Sequence, residues 1–570
     1  MADFDLVVRG GTVADGTGGD LYEADVGVVG DRIIQVGRGI AAGREEIDAR
    51  GRLVTPGFVD IHTHFDGQVT WDHQFAPSTG HGVTTLLMGN CGVGFAPCRA
   101  DQRDAMIDVM EGVEDIPGIV MREGLPWNWE SFPDYLDALD KRRMDADFAT
   151  QVPHIPVRVF VMGQRAIDRE PARAEDMRQM AEIVREGMAA GAFGFSTSRV
   201  IGHRTANGAQ LPVTTASEDE LTTIALAMRD VGNGLFMSAS EFDTGNGFSS
   251  EFRMLERIAQ LSRQTVFFPL LQYNEAPDRW LEIAEACAQA RAGGADIYGQ
   301  VTSRPVGVLM GLELSLHPFM GCPAYQAIAL LPLADRVAAM RTPQVRARIL
   351  AETPDMTDPI LAFTRNFHLF YAMGNPPEYS PTEHRRFDRI AERLGTTAAA
   401  VAYDVMLADN GRGIIYFPAR NFTACNLDTV FAMLRREDTV LGLGDGGAHL
   451  GAICDGSLQT YMLSYWTRDR QGDKLSIAEA VHAISGRTAD VAGFTGRGYL
   501  KPGYKADLNV IDYDNLRLEP PRAVHDLPAG GRRLTQDAIG YDATILSGRT
   551  TYRHGTFTGA LPGRLLRKAW

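Results

Sequence analysis

Thr55-Pro56-Gly57-Phe58-Val59-Asp60-Ile61-His62-Thr63-His64 is the stretch that decides the fold. An apolar run of strand length ends in two histidines spaced two apart. A strand repeats every two residues, so both imidazoles leave the same side of its C-terminal end. In a β/α barrel that end is the catalytic rim. Two neutral imidazoles converging there are a natural ligand pair for Zn²⁺ or a similar ion, although polar rim histidines without metal have the same spacing.

The surrounding chain fits such a barrel. Apolar strand candidates follow at Val83 to Gly89, Phe148 to Pro153, Gly191 to Ser196, Gly234 to Ala239, Thr265 to Leu271, Asp296 to Val301 and Val440 to Asp445. Amphipathic helices at Glu175 to Ala190, Glu218 to Val231, Glu251 to Arg263 and Arg279 to Ala292 lie between several of them. Eight strands, counting Gly57 to His62 as the first, predict a (β/α)₈ TIM-type barrel over residues 56–489. The stretch 304–439 is too long for one crossover and reads as a mainly helical insertion (Leu331 to Met340, Pro343 to Ala351, Glu383 to Asn410) over the site. A second insertion, Arg99 to Arg143, follows the second strand and carries Trp127 and Trp129. Short strands with Gly-rich turns fill residues 1–55 and return near the C-terminus. Residues 1–55 and 490–570 are therefore expected to share one discontinuous small β-sandwich domain, since neither end alone holds a comfortable core.

Composition narrows the function. The chain has 570 residues, 45% hydrophobic and 22% charged, with a formal net charge of −16. That balance argues against nucleic acid, whose binders cluster Lys and Arg. Six scattered cysteines suit a reducing compartment, and neither a signal peptide nor a bilayer-spanning apolar run is visible. A cytoplasmic enzyme with a small-molecule substrate is the expectation. A Ser-His-Asp order and a phosphate loop are both missing.

Two longer stretches carry a family resemblance. Gly51-Arg52-Leu53-Val54-Thr55-Pro56-Gly57-Phe58-Val59-Asp60-Ile61-His62-Thr63-His64 resembles the first barrel strand of the amidohydrolase superfamily, and Leu500-Lys501-Pro502-Gly503-Tyr504-Lys505-Ala506-Asp507-Leu508 resembles the return into its small β domain. Gly89-Asn90-Cys91-Gly92-Val93-Gly94-Phe95-Ala96-Pro97, Gly124-Leu125-Pro126-Trp127-Asn128-Trp129 and the tail Thr558 to Arg564 resemble the N-acyl-D-amino-acid deacylase (D-aminoacylase) branch. The resemblance implies hydrolysis of a linear amide, most simply an N-acyl amino acid; a cyclic amide or lactone is the alternative, and a non-catalytic scaffold a third reading. It implies that Cys91 is a thiolate ligand at the end of the second strand. It also makes Asp445, in Gly442-Leu443-Gly444-Asp445-Gly446-Gly447, the eighth-strand aspartate that binds metal and acts as general base.

Departures from that pattern are equally informative. The branch supplies histidines at the ends of the fifth and sixth strands; here those ends read Ser238-Ala239-Ser240-Glu241 and Leu271-Gln272-Tyr273. Among five lysines none is placed to bridge two metals. One Zn²⁺ held by His62, His64, Asp445 and Cys91 is therefore expected rather than two ions, with Glu241 and Gln272 as substitute oxygen donors. His154, ending the third strand, is a candidate for orienting the substrate carbonyl or, equally, a rim histidine with its hydrogen bonds satisfied. Arg199 and Arg304 are candidates for a substrate carboxylate, which planar guanidinium groups grip in bidentate fashion, or for neutralising nearby Asp and Glu; Gln272 is a further candidate for substrate binding. His449 follows a Gly-rich turn beside Asp445. Barrel enzymes of this kind are often homo-oligomers, an expectation by analogy alone.

Overall fold

The computed structural model describes residues 3–242 and 248–570. All eight expected strands are present, and they run parallel in chain order. Phe58–Asp60, Val83–Met88 and Asp147–Thr150 pair as one ladder. Val152–Pro153, Gly194–Ser198, Leu235–Ala239, Thr265–Pro269, Ile297–Val301 and Thr439–Leu441 pair as a second. The ladders share a chain segment at Gln151, and an isolated parallel bridge joins Thr63 to Gly446 at their other limits. Several of these strands are buried along their whole length, as in Val83–Met88 and Leu235–Ala239. Burial on both faces explains why they read as continuous apolar runs and not as alternating ones.

The helices between them start where their sequence permits. Ser217 accepts the Glu220 amide at the head of Glu218–Val231, one of the unsatisfied donors that every helix N-terminus presents. Ala174–Ala189 and Glu218–Val231 lie side by side on the outside of the strands.

The long insertion departs from the expectation in two respects. Its helices are present at Leu333–Met340, Pro343–Ala351, Phe387–Leu394 and Ala398–Gly411. It also carries a three-stranded antiparallel sheet, Val306–Met310, Ile415–Arg420 and Tyr371–Ala372, and an apolar core of its own. The helix expected over Glu383 to Asn410 is broken, because Gly395 takes the left-handed conformation and Thr397 caps a new start. The other insertion forms Arg103–Glu114, Gly118–Gly124 and Phe132–Asp140.

Strands from both chain ends share one nine-stranded sheet: Leu53–Pro56 pairs with Leu508–Ile511, and Phe4–Val13 with its neighbours. Residues 517–539 leave that sheet. The hairpin of Arg522–Leu527 and Gly531–Thr535 packs instead beside the loop after the eighth strand, where the Leu534 amide donates to the Leu450 carbonyl. Among the described residues no helix is long and apolar enough to cross a membrane.

A buried charge cluster fastens the nine-stranded sheet to the parallel strands. Asp147, fully buried at the start of the third strand, accepts from Arg497 at 2.7 Å and from Lys505; Asp507 lies 3.1 Å from Arg497. Burial works against its ionisation, but the two cations hold its carboxyl below the ordinary value. Removing the carboxylate leaves two cations short of a partner in a dry setting. Asp147→Ala is expected to cost about 3–5 kcal/mol, read as a lower urea midpoint. An unchanged midpoint would show the cluster to be dispensable.

Candidate metal centre

The first and eighth strands bring the site together. The Asp445 amide donates to the His62 carbonyl at 3.0 Å, and the His64 amide donates to the Gly446 carbonyl at 2.8 Å. Such close approach requires glycine. A Cβ on Gly444 would lie 2.3 Å from the Asp60 carboxylate, and one on Gly447, whose φ is +86°, would lie 2.8 Å from the His64 carbonyl. Cys91, Leu443, Asp445 and His449 all have positive φ. Left-handed conformations at residues with a side chain are costly and persist where surrounding contacts enforce them; three of these four carry side chains of the site.

His62, His64 and Cys91 are buried, and their ligand atoms lie within 4.8 Å of one another. Cys91 Sγ is 3.4 Å from His62 Nε2. Asp445 Oδ1 is 3.3 Å from His62 Nε2 and 3.7 Å from His64 Nε2. Burial works to raise the Cys91 thiol, but the adjoining His62 and His64 more than offset it and hold the thiol below its ordinary value. Burial likewise opposes ionisation of Asp445, yet its hydrogen bond to His64 and the charges of His62, His64 and His449 hold the carboxyl well below the usual range. Two imidazoles, an ionisable thiol and a carboxylate form a borderline-soft donor set that suits zinc and not magnesium or calcium. The four residues named in the sequence as ligands thus converge.

The other candidates lie elsewhere or are already engaged. His154 is buried with both ring nitrogens occupied, by Thr197 Oγ1 at 2.8 Å and Glu220 Oε1 at 3.0 Å. Of the two roles considered for it, a rim histidine with its polar atoms satisfied is the one these contacts fit. Arg199 makes a two-pronged ion pair with Glu251 and donates to the Ala216 carbonyl. Arg304 is buried, donates to Asp455 at 2.8 Å and lies 3.8 Å over the Tyr379 ring. Of the two roles considered for these arginines, neutralisation of carboxylates is the one their contacts fit. The Gln272 side chain donates to the Pro277 carbonyl and Thr429 and accepts the Thr423 amide, and Glu241 accepts the Ile201 amide. At the end of the fifth strand Ser238 and Ser240 bond to each other.

Sequence reasoning passed over Gln300 and Glu114. Gln300, in the seventh strand, places Oε1 2.7 Å from His62 Nδ1; a polar residue inside an apolar strand was the available signal. Glu114 ends the helix Arg103–Glu114 and lies 3.5 Å from His64 Nδ1, and nothing in its local sequence marks it. His203, after the fourth strand, faces the same group, and burial lowers its pKa to about 4.

Comparison with known proteins places the chain in a family. A model described as the amidohydrolase family matches residues 45–552. The D-aminoacylase of Alcaligenes xylosoxydans xylosoxydans is 27% identical across 99% of this chain and 98% of that protein. The N-acyl-D-glutamate deacylase of the same organism is 26% identical across 99% and 96%. Among solved structures, a D-aminoacylase superposes with a TM-score of 0.66 at 24% identity, covering 99% of this chain and all of the other. The N-acyl-D-glutamate deacylase of Bordetella bronchiseptica, solved with zinc and a phosphonate inhibitor, gives 0.66 at 21% identity over the same extent. With nearly all of its length matched, the chain belongs to the amidohydrolase family, on its D-aminoacylase-like branch.

Proposed function

We propose that this protein is a metal-dependent hydrolase of N-acyl amino acids that works with one zinc ion. The observation that carries the reading is the convergence of His62, His64 and Cys91 within 4.8 Å, with Asp445 Oδ1 3.3 Å from the nearer imidazole. The names of its full-length relatives, a D-aminoacylase and deacylases of N-acyl-D-aspartate and N-acyl-D-glutamate, support the substrate class. The scaffold of this reading is a (β/α)₈ barrel closed through the Thr63–Gly446 bridge, with a small domain from residues 1–55 and 490–570.

Bound by these four residues, a divalent cation supplies Lewis acidity toward water and the scissile carbonyl. Asp445 takes the proton of the attacking water and delivers it to the departing amine nitrogen. Its side chain is 18% exposed while the histidines are nearly sealed, so the carboxylate stands on the open side where substrate arrives. A single ion is favoured because the fifth and sixth strand ends offer bonded serines and an engaged glutamine in place of imidazoles.

Elemental analysis of untagged protein, paired with a panel of N-acetyl-D- and L-amino acids, lactones and anilides, tests this reading. One equivalent of zinc and amine release from acylated amino acids is the expected result. Metal-free protein that stays inactive after zinc addition would overturn it, and turnover of lactones alone would move the reaction to that class.

Asp445→Asn keeps the shape of the side chain but removes the base. A fall in kcat of about 10²–10⁴-fold is expected, with circular dichroism unchanged. The pH profile separates ligand from base. Protons compete with the cation for the imidazoles and thiolate, whereas Asp445 stays ionised far into acid. The acid limb of kcat/KM should accordingly move to lower pH as free zinc is raised. A limb indifferent to zinc would trace to some other group.

A further inference from the structure

Each imidazole of the proposed ligand set has a second nitrogen that faces a buried oxygen from outside that set: the one on His62 is hydrogen-bonded, and the one on His64 has no hydrogen-bond partner, with the Glu114 carboxylate 3.5 Å away. His62 turns Nε2 toward Cys91 and Asp445 and Nδ1 toward Gln300 Oε1 at 2.7 Å. Gln300 is fully buried, and the eighth strand makes room for it: a Cβ on Gly442 would lie 3.1 Å from the Gln300 amide carbon. His64 turns Nε2 toward Asp445 at 3.7 Å and Nδ1 toward Glu114 Oε1 at 3.5 Å.

Glu114 is the less ordinary of the two. It does not belong to the parallel strands but to the last turn of the insertion helix Arg103–Glu114, and it is 1% exposed. Its Oε2 has no hydrogen-bond partner, and His449 Nε2 is 4.0 Å away. A buried carboxylate is costly unless paired, and His64, His449 and His203 are imidazoles that face it here. The helix end is also pinned. The Glu114 carbonyl accepts the Leu450 amide at 3.2 Å, and Asp115 Oδ2 accepts the Gly451 amide at 3.0 Å.

We propose that Gln300 and Glu114 are positioning residues that hold His62 and His64 as Nδ1–H tautomers, so that both Nε2 atoms face Cys91 and Asp445 around one metal ion. An acceptor oxygen opposite Nδ1 selects the tautomer whose lone pair sits on Nε2, and it fixes the ring plane as well. The two acceptors differ in kind: an amide oxygen from the seventh strand faces His62, and a carboxyl oxygen from the insertion faces His64. The insertion after the second strand thereby becomes part of the metal site. This inference rests on the metal centre proposed above.

Zinc affinity by competition with a chromophoric chelator, and the visible spectrum of the Co²⁺-loaded protein, test it without reference to turnover. Gln300→Ala and Glu114→Ala should each weaken zinc binding by about 10–100-fold and alter the cobalt bands. Gln300→Glu, which keeps an acceptor opposite Nδ1, should restore most of the affinity lost in Gln300→Ala. Glu114→Gln has the same shape as the native residue and decides the matter if the alanine variant does not fold; it should fall between Glu114→Ala and the native protein. Affinities and cobalt spectra equal to those of the native protein, even with a lower melting temperature, would overturn the proposal and leave Glu114 and Gln300 as packing residues. Native protein that binds zinc tightly but releases no amine from acylated amino acids would instead overturn the proposed reaction.

Discussion

Everything at the site depends on two backbone hydrogen bonds between the segments that follow the first and eighth strands. Through them Asp445 and His62 hold each other's main chain, and so do His64 and Gly446. A metal site needs its donors held closely in place, and here main-chain bonds just beyond the strand ends do the holding. The constraint is paid for in backbone conformation: Asp445 and Cys91 sit in left-handed geometry, and Gly444 and Gly447 stand where any side chain would collide. The strand ends are thus built around the site, with local comfort given up where the donors meet.

Much of this was legible in the sequence, for identifiable reasons. Strands buried on both faces give unbroken apolar runs, so Val83–Met88 and Leu235–Ala239 stood out without help from neighbouring residues. The histidine pair and the carboxylate of Gly444-Asp445-Gly446 were visible because each ends such a run. Partnerships were not visible. Whether Arg199 and Arg304 are free or engaged depends on Glu251 and Asp455, which lie 52 and 151 residues away in the chain. His154 carried no sign that Glu220, an exposed-looking residue in the first turn of a helix, would reach inward and claim its ring.

The insertions show a second limit of local reading. Their helices were found, but the small sheet of the longer one was not, because strands of two to six residues paired across roughly 40 to 115 positions leave little periodicity to detect. The shorter insertion contributes Glu114 to the base of the site, and the hairpin at 522–535 reaches from the C-terminal region to the loop that bears His449. Segments that look peripheral along the chain are, in space, walls of the same chamber.

The nine-stranded sheet also sets a timetable for the chain. Leu53–Pro56 finds its partner Leu508–Ile511 only after some 450 further residues. At the usual pace of protein synthesis that is an interval of roughly 20–90 s, during which one edge of an apolar strand stays open. The parallel strands and the proposed metal ligands emerge within that interval, so the half that bears the candidate site can assemble before the sheet that bears both chain ends is complete. The flanking charges of Arg50, Arg52 and Asp48 and the proline at position 56 are the features that guard such an edge from strangers. Birth order, as much as final architecture, is written into a domain whose two halves are made at opposite ends of translation.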